Sequence, residues 1–468
     1  GDIGRWRPDG AIDYRGRRDE QLQVRGVRVE LEELEAHVRT AHGVRDAAVC
    51  AVNPVNGRAD ALVAYVVSDD GAPLDPADLR AHLLAHVQET VVPSRFVQLA
   101  ALPTSPSGKL DRRSLVEAGE PARTRPRAAP TSPTEEALAQ IWRAHLGVED
   151  IGIYERFFEI GGHSLLAVQV QHDVGERLGQ DVPLDAFFRF DTVAKMAAYL
   201  EQRSAGGVGE ARDAAPVVVL REGRRSAPLV LVHPIGGNLL GYRALVAGLP
   251  DDVPVLGLRS PGLAAPTRIP QTVEEIARGY VRELGARPQL RSCTLAGWSF
   301  GGVLAFEIAR QLAAVGVEVE HLYLIDAWSP DEHRRHLEPR SMFERFVADH
   351  AATLGISQFG TTPREPEERD DASPFEWLAA RAGTEPALLE RMYAVFSAHT
   401  AAYDLYRPQL ADVAATVVAA GQIGGPPDRG WSDLVAGRLQ LYALDGGHYD
   451  IVRPPLVAQL ARILVPDA

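Results

Sequence analysis

The stretch Cys293-Thr294-Leu295-Ala296-Gly297-Trp298-Ser299-Phe300-Gly301-Gly302-Val303-Leu304-Ala305-Phe306 decides how this chain of 468 residues is read. A strand-like run ends in Gly-x-Ser-x-Gly and passes directly into the helical pattern VLAFEIARQLAAVG, the context that a nucleophile elbow requires. The glycines let the chain turn sharply, and the turn lifts the Ser299 hydroxyl above the strand end. At neutral pH such a hydroxyl attacks a carbonyl only with an adjacent base.

Working outward, His448 lies in Ala443-Leu444-Asp445-Gly446-Gly447-His448-Tyr449-Asp450, a loop after the last strand-like run, and is the candidate base. Asp326 ends the apolar run HLYLIDA at the carboxyl end of the strand after the elbow, where the ligand and catalytic groups of open parallel sheets gather. It is the candidate orienting carboxylate, although Asp445 and Asp450 stand nearer His448 in sequence. The order Ser, Asp, His is that of the α/β-hydrolase arrangement. His233, His321 and His399 occupy no such late loop and are read as structural. His233-Pro234-Ile235-Gly236-Gly237 follows an earlier strand-like run, and the Ile235 and Phe300 N–H groups are the expected oxyanion donors.

The elbow belongs to a series of strand, loop and helix units: PLVLVHP, VPVLGL, CTLAGWS, HLYLIDA, ATVVAA and LQLYAL. Such alternation predicts a mainly parallel sheet covered by helices, over 227–468. Between Asp326 and about Leu410 the rhythm breaks into charged, helical sequence too long for an ordinary connection, which reads as a helical lid at about 330–405. Residues 119–131 and 204–226 lack hydrophobic periodicity and read as linkers. Between them, 132–203 is helical throughout, a bundle of four-helix type. Ahead of them, 1–118 mixes strand-like AAVCAV and ALVAYVVS with helical ELEELEAHVRTAH, a small α+β piece.

Composition narrows the function classes. Lys plus Arg number 49 against 63 Asp plus Glu, a net charge of -14 spread along the chain, which makes nucleic acid an improbable partner. The sequence shows no long apolar span and no export signal, so a cytoplasmic protein without a membrane partner is expected. The two cysteines, Cys50 and Cys293, sit in apolar runs and suggest neither a disulfide framework nor a metal site.

Three further motifs carry a resemblance. Phe157-Phe158-Glu159-Ile160-Gly161-Gly162-His163-Ser164-Leu165-Leu166 resembles the attachment motif of peptidyl carrier domains, which implies 4'-phosphopantetheine on Ser164 through a phosphodiester, installed by a phosphopantetheinyl transferase. Gly1-Asp2, Gly16-Arg17-Arg18-Asp19-Glu20-Gln21 and Ser107-Gly108-Lys109-Leu110-Asp111-Arg112 resemble the end of an adenylation domain. That likeness implies nucleotide binding through Asp2, Arg17 and Lys109, a hinge at Asp19 with the subdomain at 20–118, and a catalytic role for Lys109 toward the α-phosphate. ATP and Mg would be used only with the large adenylation region ahead of Gly1. HPIGGN, GWSFGG, LIDA and GGHYDIVRPP resemble the type I thioesterases of nonribosomal peptide synthetases. The whole chain is thus similar to the C-terminal part of such a synthetase: a multidomain protein with an α+β adenylation subdomain, a carrier bundle and an α/β-hydrolase under a helical lid. The resemblance implies upstream partners, an adenylation core and a condensation domain, and a peptidyl thioester substrate. Release would occur by hydrolysis or macrocyclisation; the alternative is a carrier and docking module whose thioesterase is an editing or inert domain.

Overall fold

The structure, a computed structural model, describes residues 2–466 apart from 7–11, 18–21, 25–26, 53–57, 60, 85, 88–90, 94, 105–109, 118–127, 149, 163, 181, 205–214, 265–267, 337–339, 355–372 and 383. It forms two compact units, the first in residues up to Pro126 and the second in most of the remainder.

The first unit is α+β. Strands β1 (Asp2–Trp6) and β2 (Ile12–Arg17) pair antiparallel, with Asp2 opposite Arg17. Strands β3 (Leu22–Val24) and β4 (Val27–Val29) form a small sheet with β6 (Arg58–Ala59). The main sheet runs β5 (Val44–Val52), β7 (Ala61–Ser68), β8 (Arg95–Gln98). Helix α1 (Leu31–Arg39) lays Leu31, Leu34 and Val38 on the apolar core, and helices α2 (Pro76–Leu84) and α3 (Arg112–Glu117) follow along the chain. Its buried Glu35 accepts from Val49 N–H (2.9 Å) and from Arg112 Nη1 (2.6 Å), fixing the helix to β5. Burial of that carboxylate is tolerable because both oxygens find donors.

The second unit opens with the four-helix bundle expected from the sequence. Helix α4 (Pro133–Leu146) starts in a capping box between Ser132 and Glu135 and stops where Gly147 turns left-handed at φ 65°. Helices α5 (Ser164–Leu178), α6 (Ala186–Arg189) and α7 (Val193–Ser204) complete it. Trp142 of α4 meets Phe157 edge-on at 4.9 Å, and Phe187 closes on the same ring at 5.2 Å.

A seven-stranded sheet fills the rest. Its order is β15 (Leu439–Leu444), β14 (Ala415–Ala420), β13 (Glu318–Ile325), β12 (Ser292–Trp298), β10 (Leu229–Val232), β11 (Val255–Leu258), β9 (Val217–Arg221). All neighbours are parallel except β9, which runs antiparallel to β11 at the edge. This corrects one expectation: 204–226 is not all linker, because Val217–Arg221 adds a strand to the sheet. Its Val-Val-Val-Leu run is strand-like in itself but sits inside a Pro-, Gly- and Arg-rich stretch that reads as a connector, and the edge of β11 supplies its pairing. Helices Val273–Gly285 and Phe300–Leu312 cover one face; Arg243–Gly248 and Val457–Leu464 cover the other.

Between β13 and β14 stand the lid helices Pro330–His336, Met342–Leu354, Pro374–Ala382 and Pro386–Leu405. The bundle packs on the hydrolase within this unit: Asp185, which precedes α6, pairs with Arg259 just beyond β11, their side chains 15% and 5% exposed, and Phe188 joins the hydrolase core. Among the described residues, no helix is long and apolar enough to cross a membrane.

Candidate active site

Ser299 sits between β12 and the helix Phe300–Leu312 with φ 58° and ψ −131°, a conformation L residues rarely adopt. Neighbouring backbone holds it there: Ser299 N–H donates to Ile325 O (2.9 Å) and Gly302 N–H to Ser299 O (3.0 Å). The turn tolerates no side chain on either flank. A Cβ on Gly297 would lie 2.0 Å from Gly301 O, and one on Gly301 would lie 2.4 Å from Val232 O.

Asp326 follows β13 at φ 38°, fully buried. Its Oδ2 lies 2.7 Å from His448 Nδ1, so that nitrogen carries the proton and Nε2 is left as the basic site. Its Oδ1 accepts from Ala420 N–H and from Arg429 Nε, both at 3.0 Å. Burial pushes the Asp326 carboxyl up, but the His448 hydrogen bond and charge, Ala420 and Arg429 outweigh it and hold the pKa below the ordinary carboxylate value. Asp326 is therefore an anion at neutral pH. The two carboxylates nearer His448 in sequence are engaged elsewhere: Asp450 caps Gly447 N–H at 2.9 Å, and Asp445 faces Gln422. Trp298 steadies the histidine, its indole N–H donating to His448 O at 3.0 Å and its ring 5.1 Å from the imidazole. No hydrogen bond joins Ser299 and His448 in this structure; such contacts commonly tighten only with substrate in place.

Arg429 escaped the sequence reading. It is 2% exposed, has φ 52°, and spends its remaining donors on the carbonyls of Ala420 (2.7 Å), Ile423 (3.3 Å) and Gly424 (3.0 Å), with Trp328 beneath the guanidinium at 4.6 Å. Its segment, Pro426-Pro427-Asp428-Arg429-Gly430, has the composition of an exposed turn, and only tertiary packing brings it to Asp326.

His399 was also missed as part of the site. From the helix Pro386–Leu405 its Nδ1–H donates to Ile235 O (2.8 Å), and its ring stacks on His233 at 4.9 Å and on Phe300 at 5.4 Å. It thus touches the residues on both sides of the expected oxyanion position. His233 is closed in by Pro234 O and the Tyr280 hydroxyl, each at 2.7 Å. Burial drives His233 down to about 3 and His399 to about 4, so both are neutral. Ser260 N–H ties the end of the same loop through Gly237 O (2.9 Å). The Ile235 N–H is left without a hydrogen-bond partner among the described residues, and the Phe300 N–H is one of the unsatisfied donors of a helix start. His321 lies away from the site, 2.8 Å from Thr416 Oγ1.

Ser164 opens α5, just after Gly161 (φ 108°) and Gly162, whose Cβ would collide with the Phe157 ring at 2.4 Å. A serine at the start of a 15-residue helix fits a phosphodiester-linked arm, since helix N-termini stabilise phosphate. In the first unit, Asp2 and Arg17 are cross-strand neighbours in β1 and β2, whereas Asp19 and Lys109 lie outside the described residues.

Family models match three segments in order: an AMP-binding enzyme C-terminal domain at 33–109, a phosphopantetheine attachment site at 136–200 and a thioesterase domain at 227–465. The chain is 30% identical to a dimodular nonribosomal peptide synthase of Bacillus subtilis over 99% of its own length and 19% of the relative's. It is likewise 30% identical to enterobactin synthase component F of Escherichia coli, over 99% of its length and 35% of that protein. The chain therefore spans about a fifth to a third of these curated relatives. Its fold is similar to the crystal structure of a four-domain nonribosomal peptide synthetase bound to AMP and glycine, with TM-score 0.52 and 28% identity, covering 100% of this chain and 36% of that one.

Proposed function

Because the chain belongs to the thioesterase family and has the domain order of the nonribosomal peptide synthetases, we propose that its hydrolase domain releases a peptidyl chain from the carrier through an ester on Ser299. The observation that carries this reading is the 2.7 Å contact between His448 Nδ1 and Asp326 Oδ2 beside a strained serine elbow.

His448 Nε2 takes the Ser299 proton as Oγ attacks the thioester carbonyl, and Asp326 stabilises the imidazolium that forms. The Ile235 and Phe300 N–H groups hold the developing oxyanion. When bound at Ser164, the phosphopantetheine supplies the thiol that carries the acyl chain as a thioester. His448 would give its proton to the departing sulfur as the carbonyl re-forms and the C–S bond breaks, leaving the acyl chain esterified to Ser299. His448 then takes a proton from water, or from an amine or hydroxyl of the same chain, as that group attacks the ester carbonyl, and returns the proton to the departing Ser299 Oγ, freeing a linear acid or a macrocycle.

The reading extends to the remaining segments. The domains divide at 1–118, 132–203 and about 217–468, the last beginning at β9. Adenylation through Asp2, Arg17 and Lys109, with Asp19 as hinge, belongs to a larger assembly that supplies the ATP-binding and amino-acid-selecting region, with a condensation domain and a phosphopantetheinyl transferase as further partners. The cytoplasm is the compartment that suits them.

The test loads a model peptidyl arm on Ser164 and follows the products by mass spectrometry. Wild-type protein is expected to free a linear or cyclic peptide while Ser299→Ala keeps its arm; equal slow loss from both would overturn the mechanism.

A further inference from the structure

The lid carries a carboxylate that the catalytic scheme leaves unused. Asp349, on the helix Met342–Leu354, accepts the Tyr449 hydroxyl at 2.9 Å through Oδ1, next in sequence to the histidine that serves as base. Its other oxygen is aimed at the oxyanion loop: a Cβ placed on Gly236 would stand 3.6 Å from Asp349 Oδ2 and 3.5 Å from Asn238 Nδ2. Asn238 spends its carbonyl oxygen on Leu240 N–H (3.1 Å), which leaves the amide N–H groups facing Gly236. Gly236, Asn238 and Asp349 are all partly exposed, so the glycine presents a reachable position with one acceptor and one donor beside it, one residue from Ile235.

Charge separates this carboxylate from an ordinary structural one. Among the described residues no lysine or arginine forms an ion pair with Asp349, and Tyr449 is its hydrogen-bond partner. Burial pushes its carboxyl up, against the smaller opposing effects of Tyr449 and His448. A half-buried carboxylate with a second oxygen to spare and no ion-paired cation among the described residues is stabilised by any cation that reaches it.

We propose that Asp349 and Asn238 form a recognition site for a protonated primary amine on the acyl chain, about one residue from the scissile carbonyl, with the Asn238 amide holding a neighbouring peptide carbonyl of that chain. The inference rests on the thioesterase reading and narrows its substrate class to acyl chains with a basic side chain or free amine near the ester.

The experiment uses the full chain and two N-acetylcysteamine thioesters of an N-acetylated dipeptide whose penultimate residue is ornithine or norvaline. Wild-type protein is expected to prefer the ornithine thioester in kcat/KM by on the order of 10- to 100-fold, and Asp349→Asn to bring the ratio near one. Asn238→Asp, which adds a second carboxylate to the rim, is expected to widen the wild-type ratio and serves if Asp349→Asn fails to fold, as judged by phosphonate labelling of Ser299. No preference in wild type overturns the proposal, as does an Asp349→Asn protein that slows both thioesters by one factor, since Asp349 would then only support the Tyr449 loop. Failure of wild type to cleave either thioester would instead overturn the thioesterase reading beneath it.

Discussion

Arg429 is the residue on which the acid of the site depends. Asp326 is buried beside a histidine that the proposed mechanism charges positively in each turnover, and without Arg429 its Oδ1 would keep only the Ala420 N–H. The guanidinium supplies a permanent countercharge, held in place by three carbonyls. Arg429→Met is expected to lower stability by about 3–5 kcal/mol, because it leaves a buried carboxylate under-compensated, and to reduce kcat more than it raises KM. Denaturant unfolding and steady-state kinetics check this, and an unchanged kcat would remove Arg429 from the site. The positions of Ser299, Asp326 and His448 at strand ends and in a late loop were legible because the alternation of elements marks them. Arg429 was not, since Pro-Pro-Asp-Arg-Gly reads as a solvated turn and its burial comes from elements distant in sequence.

At the scale of elements, the oxyanion loop and the lid helix Pro386–Leu405 are joined by two neutral histidines. Their pKa values in the folded protein, about 3 for His233 and about 4 for His399, lie below the ordinary value near 6.5. Below pH 6.5 the unfolded chain therefore binds protons that the folded chain refuses. Their contribution is complete above that pH and is lost as pH falls toward 4 and then 3, with a slope of up to about 1.4 kcal/mol per pH unit for each histidine. His399→Phe, which keeps a ring on Phe300, is expected to flatten the slope between pH 6 and 4 by about one proton; an identical slope in both proteins refutes it. The loop itself was legible from His-Pro-Ile-Gly-Gly after a strand, and the lid from the break in rhythm after Asp326. That a lid histidine closes on this loop was not, because a helix of 20 residues offers many faces and sequence alone does not choose among them.

The whole molecule adds the pairing of bundle and hydrolase. Asp185 and Arg259 are nearly enclosed where they meet, so removing the carboxylate from a buried cation costs about 3–5 kcal/mol of that contact. Asp185→Ala is expected to free the bundle, seen as a larger radius of gyration in solution scattering, and to slow release from the loaded carrier; unchanged scattering would show that the pair contributes little. The sequence marked three segments correctly in kind, but 204–226 reads as a plain connector. Its strand β9 is a short β-branched run whose polar, Pro- and Gly-rich surroundings hid it, and whose place at the sheet edge only the fold reveals.

Arg259 and Ser260 share one peptide unit whose carbonyl and amide are both engaged. The side chain of the first grips the bundle, while its carbonyl takes the Tyr280 hydroxyl that borders His233 (3.0 Å), and the amide of the second pins Gly237. One peptide link thus ties the bundle contact to the loop expected to hold the oxyanion, so under the proposed mechanism a bundle that let go of Arg259 would also loosen one brace of that loop.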